Sequence, residues 1–235
     1  MPTNNSPQQS QLAASEGRIQ SVSRRKFLIF AGASAGVMAV AASCNKDDDN
    51  SNMNSGVDLG KDDIGILNYA YALEQLEAAF YTQVILTPFS GMTDGEKALL
   101  SDIRDHEVAH REFFKNALAA NAIPGLEVDF SSIDFTKRDS VLGTAKAFED
   151  LGVSAYNGAG KLIKLADYLV IAGKIVSVEA RHAAYIRDLT SNGSFADSTV
   201  VDAMGLDKSR MPMEVLSIAA PYIKTKINAS NLPTS

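Results

Sequence analysis

Apolar and polar positions divide the chain into a head without periodicity, four stretches with helical periodicity, and a tail. Residues 1–23 are rich in Ser, Gln and Asn and carry no apolar period, which predicts disorder. Positions 64–85 are dense in Ala, Leu and Glu, with no Gly or Pro after Gly65, and predict a helix over 61–87. Pro88 and Gly91 end it. Thr93-Asp94-Gly95-Glu96 has the spacing of a capping box and opens a second helix over 94–121. The link between the two is short, which makes them antiparallel neighbours. Residues 122–136 hold Pro124, Gly125 and the alternation Leu126-Glu127-Val128-Asp129-Phe130, and read as a long connection or a small extended segment. A third helix runs from 139 into the 160s, with a turn in 158–167. A fourth covers 168–190, and Ser191-Asn192-Gly193 stops it. One short helix is predicted near 212–223, bracketed by Pro212 and Pro221. The fold class is all-α: two helical hairpins joined by a long crossover, with a C-terminal extension.

Composition narrows the picture further. A chain of 235 residues with ordinary apolar content can bury one substantial core. A formal net charge of −6, without a basic patch interleaved with aromatics, argues against nucleic acid as a partner. The single cysteine, Cys44, excludes an internal disulfide, and histidine occurs only at His106, His110 and His182.

The head carries a signal of its own. Arg24 and Arg25 precede Phe27-Leu28 and the apolar run 28–43, a layout of charge, short apolar segment and small residues that marks export. The run is short for a spanning helix. The twin arginine resembles a Tat signal, and a Sec signal with an incidental arginine pair is the alternative. The run ends Val40-Ala41-Ala42-Ser43-Cys44. Cysteine directly after small residues resembles a lipoprotein cleavage site, which would make Cys44 a lipidated first residue and a membrane anchor. Ala41 stands where Leu is more usual, so cleavage by an ordinary signal peptidase is the alternative. Asn45-Lys46-Asp47-Asp48-Asp49-Asn50 opens a solvated tether, and an acidic run there also resembles surface-export signals of some Gram-negative lipoproteins. The chain thus divides into an export signal (1–43), an acidic tether (44–60), a four-helix bundle (61–191) and a tail (192–235).

The chemistry is carried by a repeat. Ala72-Leu73-Glu74-Gln75-Leu76 is followed by Tyr81, and Ala147-Phe148-Glu149-Asp150-Leu151 by Tyr156, each tyrosine seven residues after its Glu. The second helix carries Glu107-x-x-His110 and the fourth Glu179-x-x-His182, a spacing that puts carboxylate and imidazole on one helix face. Glu74 and Glu107 are 33 residues apart, Glu149 and Glu179 30 apart, so one hairpin is used twice. Six ligands converge if both hairpins present the same face. Four ionised carboxylates in a core are costly unless compensated, and two divalent cations offset them. His106 points about 100° away from Glu107 and reads as a surface residue. Glu112 and Asp150 read as solvated.

This pattern resembles the ferritin-like di-iron and di-manganese carboxylate superfamily, a motif that is general to it. Closest are the ferritin-like proteins that include plant desiccation-related and exported bacterial members. The likeness rests on Leu73-Glu74-Gln75-Leu76-Glu77-Ala78-Ala79-Phe80-Tyr81 and Val178-Glu179-Ala180-Arg181-His182-Ala183-Ala184 and covers about 61–191. It implies two Fe or Mn ions held by Glu74, Glu107, His110, Glu149, Glu179 and His182, with Glu107 and Glu179 bridging. Tyr81 and Tyr156 would bond to ligands, with core tyrosines the alternative. Glu77, one turn from Glu74, would be an extra ligand, a proton relay or a replacement for Glu74. The implied activity is redox chemistry with dioxygen or peroxide, as a ferroxidase or a manganese-catalase-like enzyme. A non-catalytic metal-binding or stress-protection module, or a scaffold without metal, are the alternatives.

Overall fold

The computed structural model describes residues 56–235. Arg24, Arg25 and Cys44 lie outside the described residues. Four long helices dominate: α1 (Asp62–Leu86), α2 (Asp94–Leu118), α3 (Arg138–Gly160) and α4 (Ala166–Thr190). A short α5 (Pro212–Ala219) lies in the tail, and β1 (Val57–Asp58) pairs in parallel with β2 (Ile227–Asn228). The second helix ends in a 3₁₀ turn (Ala119–Asn121), and a second 3₁₀ turn (Ala220–Tyr222) follows α5. No described helix is long and apolar enough to cross a membrane.

The start of α2 follows from its sequence. Thr93 accepts a hydrogen bond from the Glu96 amide at 3.2 Å, and Glu96 accepts one from the Thr93 amide at 2.9 Å, which completes the capping box. The α3–α4 turn is tighter than the sequence suggests: helix persists through Gly158 to Gly160, and α4 starts at Ala166. Two interactions at a distance explain this. A Cβ on Gly158 would lie 1.7 Å from the Arg210 carbonyl oxygen, so this glycine is the seat of the tail backbone and not a turn residue. Asp63, on α1, accepts bonds from the Lys164 and Leu165 amides at 2.8 and 2.9 Å and caps the entry to α4.

Helix α1 is buried along nearly its whole length, from Asp63 to Val84, because the other hairpin, the crossover and the tail all cover it. Its Phe80 is fully buried and meets Phe148 of α3 and Phe130 and Phe135 of the crossover at centroid distances of 5.1 to 6.0 Å. The crossover is anchored further by Asn68, whose amide donates to the Leu59 and Asn121 carbonyls and accepts from the Ile123 amide. It is not a free loop: Val128 bridges to Ile223 of the tail. The tail therefore ties the crossover to β1 and closes the domain. Asp150 is not freely solvated, since it pairs at 2.6 Å with the buried Arg187. Glu112 pairs at the surface with Arg111 at 2.8 Å.

Candidate metal centre

Helix α1 supplies Glu74, α2 supplies Glu107 and His110, α3 supplies Glu149, and α4 supplies Glu179 and His182. The flanking Leu73, Leu76, Phe80, Phe148 and Leu151 are all buried, and they carry the two single glutamates into the core. All four carboxylates are fully buried. The six side chains meet as two overlapping groups, Glu74, Glu107, His110 and Glu179 in one, and Glu107, Glu149, Glu179 and His182 in the other.

The oxygens are shared out between these groups. His110 Nδ1 lies 3.0 Å from Glu179 Oε1, 3.4 Å from Glu74 Oε2 and 3.6 Å from Glu107 Oε2. His182 Nδ1 lies 2.8 Å from Glu107 Oε1, 3.5 Å from Glu149 Oε2 and 4.0 Å from Glu179 Oε2. Glu107 and Glu179 thus each present one oxygen to either group, while Glu74 and Glu149 each serve one. Some of these contacts have ion-pair lengths, yet none of the eight atoms makes a hydrogen bond of acceptable angle. Buried polar atoms that aim at common points and not at one another are costly in a protein without a cation. Carboxylate and imidazole without thiolate suit Fe, Mn or Zn.

The remaining carboxylate oxygens are bound from outside. Tyr81 on α1 donates to Glu149 Oε1 on α3 at 2.5 Å, and Tyr156 on α3 donates to Glu74 Oε1 on α1. Each tyrosine holds the glutamate of the other hairpin. Burial, and next the adjacent glutamates, push both phenols well above their ordinary value, so they stay protonated donors.

Electrostatics divide the cluster. Burial raises Glu74 to about 7, against contacts from His110. Burial and then Glu179 raise Glu77 well above the carboxylate range, burial and then Glu107 do the same to Glu179, and burial raises Glu149. Glu107 goes the other way: burial opposes its charge, but His110 and His182 outweigh it and leave it at about 2. Burial also opposes charge on the imidazoles, and the surrounding glutamates outweigh it, raising His110 to about 12 and His182 to about 10. Without metal, protons take the place of cations.

Glu77 is buried beside the cluster but belongs to neither group, whereas Glu74 belongs to the first. Gly152 makes the room: a Cβ there would lie 3.1 Å from Glu77 Oε1 and 3.6 Å from Glu179 Oε2. A glycine inside a helix costs about 1 kcal/mol relative to alanine, which is the sequence signal that could have drawn attention to it. His106 is exposed, as its helical angle predicts, but it is not detached from the site. Its Nδ1 lies 2.9 Å from His182 Nε2. Position on its own helix could not reveal this contact, because it crosses from α2 to α4.

Fold and site together define a helical-hairpin bundle with a buried carboxylate–histidine centre suited to two metal ions. The chain belongs to the ferritin-like domain family, whose model matches residues 62–192. Comparison with curated proteins gives no match.

Proposed function

We propose that Glu74, Glu107, His110, Glu149, Glu179 and His182 hold two Fe or Mn ions, with Glu107 and Glu179 spanning both. The observation that carries this reading is the set of buried, unbonded atoms sorted into two groups, with one oxygen of Glu107 and of Glu179 in each. Such ions supply redox chemistry between the +2 and +3 states, and the substrates that suit them are dioxygen and peroxide. The protein's own part is to orient. Tyr81 and Tyr156 hold the outer oxygens of Glu149 and Glu74, leaving one oxygen of each free for a metal. Buried Leu73, Leu76, Phe80, Phe148 and Leu151 flank the two single glutamates. Glu77 places one further carboxyl beside the centre, as an added ligand or a proton holder.

The test is metal analysis of the reconstituted protein followed by two gas measurements. About two metals per chain are expected, with oxygen uptake on adding Fe(II) for a ferroxidase or oxygen release from peroxide for a catalase-like enzyme. Two bound metals with neither gas response would favour a metal-holding or stress-protection module. Fewer than one metal per chain would sink the proposal. We also propose that the protein is exported through the Arg24-Arg25 signal and anchored by lipid at Cys44, on the strength of the motif in the sequence.

A further inference from the structure

His106 belongs to none of the metal-facing groups, yet it makes a direct side-chain contact with one of their members. The His106 and His182 rings are 7° from parallel, with centroids 5.2 Å apart. They are not stacked face to face. A nitrogen–nitrogen distance of 2.9 Å is shorter than the roughly 3.5 Å between stacked atoms, so the rings meet edge to edge, nitrogen to nitrogen.

That contact can be made in two ways. Either His182 Nε2–H donates to His106 Nδ1, or His106 Nδ1–H donates to His182 Nε2. The second needs a lone pair on His182 Nε2, which puts the hydrogen of a neutral ring on Nδ1. Nδ1 is the nitrogen that faces Glu107, Glu149 and Glu179. A neutral imidazole with its hydrogen there cannot bind a cation through that atom. Only the first arrangement leaves Nδ1 free.

We infer that His106 is a positioning residue: its Nδ1 accepts the Nε2–H of His182 and so holds that ring in the orientation and tautomer in which Nδ1 binds metal. The inference rests on the di-metal reading of the site. His106 acts through His182 and touches no metal itself. Among the described residues the other histidine of the centre has no such imidazole partner: His110 faces Glu74, Glu107 and Glu179. The two half-sites, alike in their ligands, therefore differ in the support given to their imidazoles.

The experiment is titration of the metal-free protein with Co(II), followed by its visible absorption, for the wild type, His106→Leu and His106→Asn. Leucine fills the position without an acceptor. Asparagine places Oδ1 the same number of bonds from the backbone as His106 Nδ1. His106→Leu is expected to weaken one of two Co(II) equivalents about 10-fold to 100-fold and change its absorption. His106→Asn is expected to restore most of the affinity, and the metal-free melting temperatures should stay alike. Wild-type affinity in His106→Leu overturns the inference alone, as does equal weakening in both variants. So does a loss of metal-free stability in His106→Leu that tracks the loss of affinity. Failure of the wild type to bind Co(II) overturns the di-metal reading, and this inference with it.

Discussion

At the scale of single residues, the buried carboxylates and imidazoles of the centre differ in how they hold protons. Folding raises Glu74 from 4.5 to about 7 and His182 from 6.5 to about 10. The metal-free folded chain therefore keeps protons that the unfolded chain releases. Stability from such groups is complete below the unfolded value and is lost as pH rises through the folded one. Glu107, lowered from 4.5 to about 2, acts in the opposite sense and loses its contribution as pH falls below 4.5. Metal-free protein should accordingly be most stable near pH 5, with a melting temperature that declines steadily toward pH 9 and beyond. Cations remove the need for those protons, so loaded protein should show a flatter profile, and loading should release protons. Melting curves across pH, with and without Mn(II), check this. A metal-free profile that rises between pH 5 and pH 9 would contradict it.

At the scale of elements, Arg187 joins the tail to the bundle. It is almost fully buried on α4, donating to Asp150 of α3 at 2.6 Å, to Asp197 and Thr199 at 2.7 Å, and to the Ser194 carbonyl at 3.0 Å. Arg187→Met would leave the partly buried Asp150 without its cation and the Ser194 carbonyl without its donor. A loss of about 3 to 5 kcal/mol is expected, measurable by urea denaturation, with faster proteolysis after residue 190. A loss under about 1 kcal/mol would show that the network is dispensable. Helix limits and the repeat of Glu74 and Glu149 were legible in the sequence because both follow from periodicity and local breakers. Glu107 and Glu179, each with its histidine, were legible for the same reason. Contacts between elements were not. Nothing near Gly158 announces that the carbonyl of Arg210 rests on it. Asp150 looked solvated because Arg187 is 37 residues away, and the crossing of Tyr81 to Glu149 depends on how two hairpins dock.

At the scale of the whole molecule, the first described element, β1, pairs with the tail strand β2. The Val57 amide donates to the Lys226 carbonyl, and the Leu59 amide to that of Asn228. Under the anchor proposed at Cys44, pull on the chain would be borne at the β1–β2 ribbon, the first paired element of the described residues. The proposed anchor predicts that Cys44→Ser abolishes incorporation of labelled palmitate and moves the protein from the membrane fraction to the soluble one. Metal content of the bundle should be unchanged. Continued membrane fractionation of Cys44→Ser would rule the lipid anchor out.

The crossed tyrosines also impose an order in time. A ribosome delivers α1 and α2 first, and with them Glu74, Glu107, His110 and Tyr81. Until α3 emerges, Glu74 lacks the hydroxyl of Tyr156, and Tyr81 has no Glu149 to hold. Until α4 emerges, neither Glu179 nor His182 exists to close either half. A nascent first hairpin is thus an unfinished clasp, and the centre can be completed only after nearly the whole bundle has been made.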